Sequence, residues 1–243
     1  MVPELDTPGH SESWHIGYPD VTVYSVNEYM LDPTKNETFE LLEGLFGEIA
    51  TMFEDDYIHI GCDEVSFAGL NSSASIVRYM EELGLSRHGT RGFKKLIANY
   101  IERLSAIVIA NGKTPIAWQE AMDHYGDSEA NPTPPAAGLP ESLVIEQWLS
   151  PVWNWANVSS ITGRSYASTS DPWPQNHHGF HAIVTDGWYL DSSAGSVGDW
   201  EQPYAKDPLT NATCEYDSQH PLGTHARTHA RTHARTGGFF VCG

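Results

Sequence analysis

Apolar residues recur at helical spacing in two stretches of the chain. Over residues 39–53 a Phe, Leu or Ile stands at every third or fourth position, which is the spacing of one face of an α-helix. A longer stripe runs over residues 93–108 and stops before Asn111-Gly112. Such a pair is typical of a helix C-terminus. The pattern therefore predicts two amphipathic helices.

Short apolar runs alternate with these helices and predict strands. The runs cover residues 57–60, 113–118, 142–148 and 181–185. Pro115 must lie at the start of its strand, because proline has no N–H to donate to a sheet. The Pro-rich stretches 131–140 and 171–179 are predicted loops. Strands that alternate with helices predict an α/β fold with a parallel sheet and right-handed crossovers.

The pattern alone does not separate a closed barrel from an open sheet. Each candidate functional residue, however, lies at the C-terminal end of its own predicted strand. A (β/α)8 barrel gathers all of these ends into one pocket, whereas an open sheet gathers only those near its switch point. The placement favours a TIM-type barrel.

Two adjacent carboxylates, Asp63 and Glu64, directly follow the strand predicted over residues 57–60. Inside a strand, neighbouring side chains point to opposite faces. Where the pleat stops, at Gly61-Cys62, both can reach the same site. Paired carboxylates are what glycoside hydrolysis needs, one to donate a proton and one to balance positive charge at the anomeric carbon. The alternative is that Asp63 caps a following helix.

Composition excludes several classes of function. The chain has 243 residues, 40% of them hydrophobic, which is enough to bury a real core. Its formal net charge is −19, so no nucleic-acid partner and no anionic membrane surface is expected. No apolar run approaches the roughly 18 residues of a membrane span.

Three smaller features bear on the cellular compartment of the protein and on the C-terminal part of the chain. The chain has three cysteines, and Cys62 is predicted to be a small buried residue beside the carboxylates. Four glycosylation acceptor patterns favour a lysosomal or secreted protein, although no signal peptide precedes residue 1; they begin at Asn36, Asn71, Asn157 and Asn211. A Thr-His-Ala-Arg repeat over residues 224–235 is interpreted as low-complexity sequence rather than as a metal or polyanion tag.

The ordered motifs resemble one known family. They are Pro3-Glu4-Leu5-Asp6-Thr7-Pro8-Gly9-His10, His59-Ile60-Gly61-Cys62-Asp63-Glu64-Val65, Trp118-Gln119-Glu120, Glu146-Gln147-Trp148 and Trp188-Tyr189-Leu190-Asp191. Together they resemble the catalytic domain of family 20 glycoside hydrolases, the β-N-acetylhexosaminidases. The resemblance covers residues 1 to about 208.

The resemblance implies a (β/α)8 barrel with Asp63-Glu64 after its fourth strand. In that register residues 1–208 hold an incomplete barrel, about strands 3 to 7, and residues 209–243 form a disordered tail. Family members carry an arginine and an aspartate before the first motif, and a late Trp and Glu near strand 8, that have no match here. We therefore expect the 243 residues alone to aggregate or to lack activity, since open strand edges pair with other chains.

The resemblance also implies a substrate-assisted mechanism, in which the acetamido oxygen of the sugar is the nucleophile. Glu64 would be the general acid and then the general base, with a pKa raised by an ionised neighbour. Asp63 would hold the acetamido N–H and balance the oxazolinium charge, and His10 would tune Glu64. Substrate-binding residues would be Trp118, Trp148, Tyr189 and Asp191. No cofactor and no metal ion are implied.

Supporting roles and alternatives complete the prediction. Glu4 and Asp6 are expected to be hydrogen-bonding residues rather than catalysts, and His59 to lie in the core or behind the site. The expected substrate is a glycan, glycolipid or chitooligosaccharide with a terminal GlcNAc or GalNAc, and a homodimer stays open for a complete protein. The alternatives are an inactive fragment of such an enzyme, and a carbohydrate-binding or metal-binding module that uses the same residues.

Overall fold

The computed structural model describes residues 1–25, 28–125, 139–148, 180–185 and 241–242. The chain divides into two units, residues 1–144 and residues 145–243. The boundary predicted near residue 208 falls outside the described residues and stays a prediction. Among the described residues, no helix is long and apolar enough to cross a membrane.

The first unit alternates strands and helices. Its described elements, in chain order, are β1 (Glu4–Thr7), α1 (Trp14–Gly17), a 3-10 turn (Pro19–Val21), β2 (Thr22–Ser25), β3 (Glu28–Leu31), α2 (Asn36–Met52), β4 (Tyr57–Gly61), α3 (Phe67–Ser72), α4 (Ala74–Glu82), α5 (Arg91–Ala110), β5 (Thr114–Trp118) and α6 (Glu120–Tyr125). Strands β4 and β5 and helices α2 and α5 confirm the elements predicted for this region.

Strands β1, β4 and β5 form a parallel sheet in the order β1-β4-β5. Glu4 pairs with His59, and His59 in turn pairs with Ile116, so these three residues lie side by side across the sheet. Pro115 is the second residue of β5, close to the strand start as predicted. The parallel α/β arrangement predicted from the sequence is confirmed.

Helices α2 and α5 pack together and α5 covers β4 and β5. Their contact is built on Phe39 and Tyr100, whose ring centroids are 5.3 Å apart. The guanidinium of Arg103 lies 3.4 Å from the Phe39 centroid and donates to Asn36 Oδ1. A cation over an aromatic face adds attraction to this apolar contact. The apolar stripes predicted for the two helices are therefore buried against each other and against the sheet.

An antiparallel hairpin, β2 paired with β3, follows β1 and was not predicted. Its strands have only four residues each, too short for the periodicity to show. Leu31 N–H, at the end of β3, bonds both Pro8 O and Ser11 Oγ at 3.0 Å. The hairpin thus fixes the segment that carries His10.

The described part of the second unit contains β6 (Val144–Gln147), which begins at the last residue of the first unit, β7 (His181–Val184) and β8 (Val241–Cys242). Thr185 N–H donates to Gln147 O at 2.8 Å, and β7 pairs antiparallel with β8. Strands β6 and β7 confirm two predicted runs. The two-residue β8 was not predicted and lies within the segment expected to be a tail.

Candidate active site

The backbone adopts left-handed φ values where β4 ends. Gly61, Cys62 and Glu64 have φ values of 71°, 80° and 49°, in the left-handed region that L-residues rarely occupy. This turn interrupts the strand alternation, so that Asp63 and Glu64 are no longer forced to opposite faces. The sequence predicted this interruption at Gly61-Cys62. A Cβ atom at Gly61 would overlap Asp6, so glycine is required both for its φ and for this close approach.

His10 lies beside both carboxylates. Its Nε2 atom is 3.7 Å from Asp63 Oδ1 and 3.4 Å from Glu64 Oε2. The Glu64 side chain is 56% exposed and that of Asp63 only 13%, so the two acids meet different surroundings. The exposed Glu64 carboxyl is accessible to a bound leaving group, whereas the Asp63 carboxyl is held inside the turn. The structure therefore brings together the three predicted catalytic side chains.

The loop after β1 is held against the loop after β4. A Cβ atom on Gly9 would lie 3.3 Å from Asp63 O, which shows how closely the two backbones approach. Ser11 Oγ donates to Pro8 O at 2.8 Å and accepts from Leu31 N–H, so it closes the turn that presents His10. The sequence interpretation did not single out Ser11. A hydroxyl just after a Pro-Gly turn is the signal that could have identified it.

The helix after the carboxylates is capped by another residue. Helix α3 begins at Phe67, and Ser66 Oγ accepts from Gly69 N–H at 3.1 Å. Ser66 therefore fills the N-cap role. The alternative interpretation of Asp63 as a helix cap is wrong.

Asp6 carries the strongest electrostatic perturbation of the described carboxyls. Burial, the charge of Asp63 and a hydrogen bond to Asp63 raise the pKa of Asp6 to about 8. Cys62 N–H donates to Asp6 Oδ1 at 3.3 Å and works in the opposite direction. At neutral pH Asp6 is therefore mostly a neutral acid beside the Asp63 carboxyl. Asp6 thus supports Asp63, which agrees with the supporting role predicted for it.

The Cys62 side chain is fully buried and its thiol is free. Burial is the main cause that raises the pKa of Cys62 well above its usual value, followed by the charges of Asp6 and Asp63. A buried thiol with a raised pKa is an inert packing residue. The prediction of a small buried residue is confirmed.

One cluster has the donor atoms that a metal ion could use. Ligand atoms of Asp6, His10 and Asp63 all lie within 4.8 Å of one another. The expectation that the site needs no metal ion stays a prediction.

Glu4, on β1, contacts one residue on β4 and one on β5. Its Oε1 atom lies 3.1 Å from His59 Nδ1 and accepts from Trp118 Nε1 at 3.0 Å. The hydrogen bond from His59 is the main cause that lowers the pKa of Glu4, opposed by partial burial. His59 is buried, as predicted, and its ring meets the Trp118 indole edge to face with centroids 4.7 Å apart.

The remaining predicted site residues are distributed as follows. Trp118 is the last residue of β5, and Trp148 directly follows β6 in the second unit. Tyr189 and Asp191 lie outside the described residues. The first unit therefore brings together the predicted side chains of His10, Asp63 and Glu64, while Trp118, at the end of β5, contacts Glu4 and His59.

Comparison with known proteins assigns the family. The model of the family described as "Glycosyl hydrolase family 20, catalytic domain" matches residues 1–238. The chain belongs to this family of glycoside hydrolases. It is 31% identical over 233 residues to the human β-hexosaminidase subunit beta, covering 93% of this chain and 36% of that protein. The mouse subunit beta is 30% identical over 233 residues, 93% of this chain and 38% of that protein.

Solved structures agree in fold. An exo-β-N-acetylglucosaminidase of family 20 from Vibrio harveyi, in complex with N-acetylglucosamine, has a TM-score of 0.61 at 22% identity, over 91% of this chain and 32% of that chain. A Flavobacterium johnsoniae chitobiase has a TM-score of 0.56 at 20% identity, over 78% of this chain and 26% of that chain. The chain thus spans little more than a third of the relatives that it matches in sequence.

Proposed function

We propose that the chain is part of an exo-acting β-N-acetylhexosaminidase, which removes terminal N-acetyl-D-hexosamine residues by a substrate-assisted, retaining mechanism. The observation that carries the proposal is the position of His10 beside Asp63 and Glu64, at 3.7 and 3.4 Å. Membership of family 20 supplies the chemistry, since the substrate of these enzymes provides its own nucleophile.

In the first step the carbonyl oxygen of the 2-acetamido group attacks the anomeric carbon. The glycosidic C–O bond breaks, and Glu64 gives its proton to the departing oxygen. An oxazolinium ion remains, in which the acetamido oxygen is bonded to the anomeric carbon of the same sugar. The exposure of Glu64 supports this role, because a proton donor must reach the scissile oxygen. His10 would hold the Glu64 carboxyl in place.

In the second step Glu64, now ionised, takes a proton from water. The water oxygen attacks the anomeric carbon, the bond to the acetamido oxygen breaks, and the sugar is released with retained configuration. Asp63 would accept the acetamido N–H and balance the positive charge. The position of Asp63 supports this role, because its carboxyl lies beside Glu64 and His10 at the end of β4.

The pocket that receives the sugar would combine aromatic walls with a few polar groups. Trp118 and Trp148 would flank the acetamido group, Tyr189 would donate to its oxygen, and Asp191 would bind a sugar hydroxyl. Such a mixture of apolar walls and placed polar groups is usual for ligand sites. The substrates would be glycans, glycolipids or chitooligosaccharides that end in GlcNAc or GalNAc.

The fold of this domain would be a (β/α)8 barrel in which β1, β4, β5, β6 and β7 are strands 3 to 7. The parallel order β1-β4-β5, with the acids after β4, supports that register. A lysosomal or secreted location is supported by the acceptor patterns at Asn36 and Asn71, both of which are exposed.

The test combines turnover and binding. Hydrolysis of aryl N-acetyl-β-glucosaminide and galactosaminide is compared in a protein that carries this chain together with the missing barrel strands, with the native sequence, Glu64→Gln and the exposed control Glu40→Gln. Glu64→Gln should lower turnover by at least the roughly 10²–10⁴ that acid–base catalysis contributes, and Glu40→Gln should not. A thiazoline analogue of the oxazolinium ion should bind tightly. Binding without turnover would instead favour the carbohydrate-binding alternative, and full activity of Glu64→Gln would overturn the proposal.

A further inference from the structure

A single carboxylate oxygen joins the three neighbouring strands behind the acids. Oε1 of Glu4, on β1, accepts from the indole N–H of Trp118 at the end of β5. The same oxygen lies 3.1 Å from Nδ1 of His59, on β4. The His59 ring and the Trp118 indole also touch directly, at 4.7 Å and an interplanar angle of 62°.

We propose that Glu4 is a positioning residue, which fixes the plane of the Trp118 indole and thereby determines which N-acyl group the pocket accepts. This inference rests on the proposed function, in which Trp118 forms one wall of the acetamido pocket. Glu4 takes no part in a chemical step. The Glu4–His59 pair instead determines the shape of the pocket.

The geometry leaves the indole two fixed points. The bond from Nε1 to Glu4 fixes one edge of the ring system, and the edge-to-face contact with His59 fixes its tilt. A tryptophan side chain has only two rotatable bonds, so two such restraints define its plane. Removal of the Glu4 carboxylate would leave the contact with the buried His59 but take away the restraint on the Nε1 edge of the indole.

The proton on His59 is part of this arrangement. Nδ1 lies 3.1 Å from the Gly61 amide nitrogen as well as from Glu4 Oε1, and these two contacts need opposite proton states. A hydrogen bond to an ionised carboxylate is the stronger of the two. We therefore assign the proton to Nδ1, which donates it to Glu4, and the Gly61 amide is then only a close neighbour of Nδ1 and not a donor to it.

The consequence for the substrate concerns the size of the acyl group. An acetamido methyl fits against a flat indole that cannot move away, and each further methylene must displace the ring. Extra methylenes change binding by only about 1–3 kcal/mol in a rigid apolar pocket, or 10–200-fold. When the indole is released, this discrimination should fall while the reaction steps at Glu64 persist.

The first measurement does not require catalysis. The indole ¹H–¹⁵N resonance of Trp118 is assigned by its loss in Trp118→Phe and then followed in Glu4→Ala, Glu4→Asp, Glu4→Gln and the control Glu40→Ala. In Glu4→Ala and Glu4→Asp the resonance should shift. The exchange rate of the indole N–H with solvent should rise about tenfold, which corresponds to the loss of one charge-assisted hydrogen bond. Glu4→Gln retains an acceptor oxygen and should stay close to the native spectrum. An unchanged resonance in both Glu4→Ala and Glu4→Asp would overturn the proposal.

The second measurement tests specificity. The ratio of kcat/KM for N-acetyl over N-butyryl glucosaminides should fall about tenfold or more in Glu4→Ala, a loss within the range for poorly matched methylenes. A purely structural role would lower both values and leave the ratio unchanged, which would overturn the proposal. If a protein that carries this chain together with the missing barrel strands neither binds the thiazoline nor hydrolyses the acetyl substrate, the proposed function fails instead, and the indole measurement still decides the role of Glu4.

Discussion

Glu64 Oε2 lies 3.4 Å from His10 Nε2, and both residues have a left-handed backbone, with φ values of 49° and 50°. Neither residue is a glycine, so each conformation costs about 1–3 kcal/mol and persists only because the surrounding structure enforces it. Two strained loops therefore meet at one contact. Sites that store strain in this way are often those that need exact placement of a side chain.

Replacement of His10 by asparagine should lower kcat more than it raises KM. Asparagine tolerates a left-handed backbone, so the loop should keep its shape while the contact to Glu64 is lost. The expected loss is about 10²-fold, at the lower end of acid–base contributions. The measurement is the pH–rate profile with an aryl N-acetylglucosaminide, beside the control Glu40→Gln. A change in KM alone would assign His10 to binding instead.

Gly61→Ala should destabilise the fold by about 1–3 kcal/mol or more, because alanine disfavours a φ of 71° and its Cβ would overlap Asp6. The matched control is Gly44→Ala. Gly44 lies within α2 with no atom near its missing Cβ, so alanine there should stabilise by roughly 0.5–1 kcal/mol. Denaturant unfolding measures both. Equal stabilities for the two variants would contradict the close approach of Asp6 to Gly61.

Asp6→Asn should change how stability depends on pH. The pKa of Asp6 is about 8 in the folded chain against 3.8 in an unconstrained one, so between these values the folded state binds more protons than the unfolded state. Stability attributable to this group therefore falls as pH rises from about 4 to about 8, and is level outside that window. The asparagine variant should lack this fall.

The readout is the difference in melting temperature between Asp6→Asn and the native chain at several pH values from 4 to 9. The difference should move in favour of the variant as pH rises towards 8. The groups that act on Asp6 are Glu4, Cys62 and Asp63, and all three are retained in the variant. A difference that stays constant across this range would show that Asp6 is ionised throughout.

Cys62 should resist alkylation in the folded chain. Its side chain is fully buried and burial raises its pKa, so the reactive thiolate is scarce. In a Cys214→Ser, Cys242→Ser background, reaction with iodoacetamide should proceed only as fast as the protein opens. Unfolding is monitored by circular dichroism. Complete alkylation before any unfolding would place Cys62 at the surface.

The sequence predicted the elements whose pattern is strong. Strands β4 and β5 and helices α2 and α5 have long or regular apolar patterns, and the break at Gly61-Cys62 follows from the glycine itself. The β2–β3 hairpin was missed because four-residue strands give too few positions to establish a period. Helices α3 and α4 were missed for a similar reason, since they are short and adjacent.

The site was predicted in its residue types but not in its network. His10, Asp63 and Glu64 were identified by motif, and the structure brings them together. The shared oxygen of Glu4 and the raised pKa of Asp6 depend on how β1 registers against β4, which no local pattern encodes. Sequence therefore identifies the candidate catalytic groups, and only the sheet register shows what holds them.

The left-handed backbone at Glu64 also has an evolutionary consequence. Asparagine or glycine would occupy a φ of 49° with less strain than glutamate. Under the proposed function, mutations at this position therefore exchange catalysis for folding stability. Once selection for hydrolysis is relaxed, drift at residue 64 should run towards Gly or Asn, so that descendants of this domain that have become sugar-binding proteins are marked by the loss of this one acid.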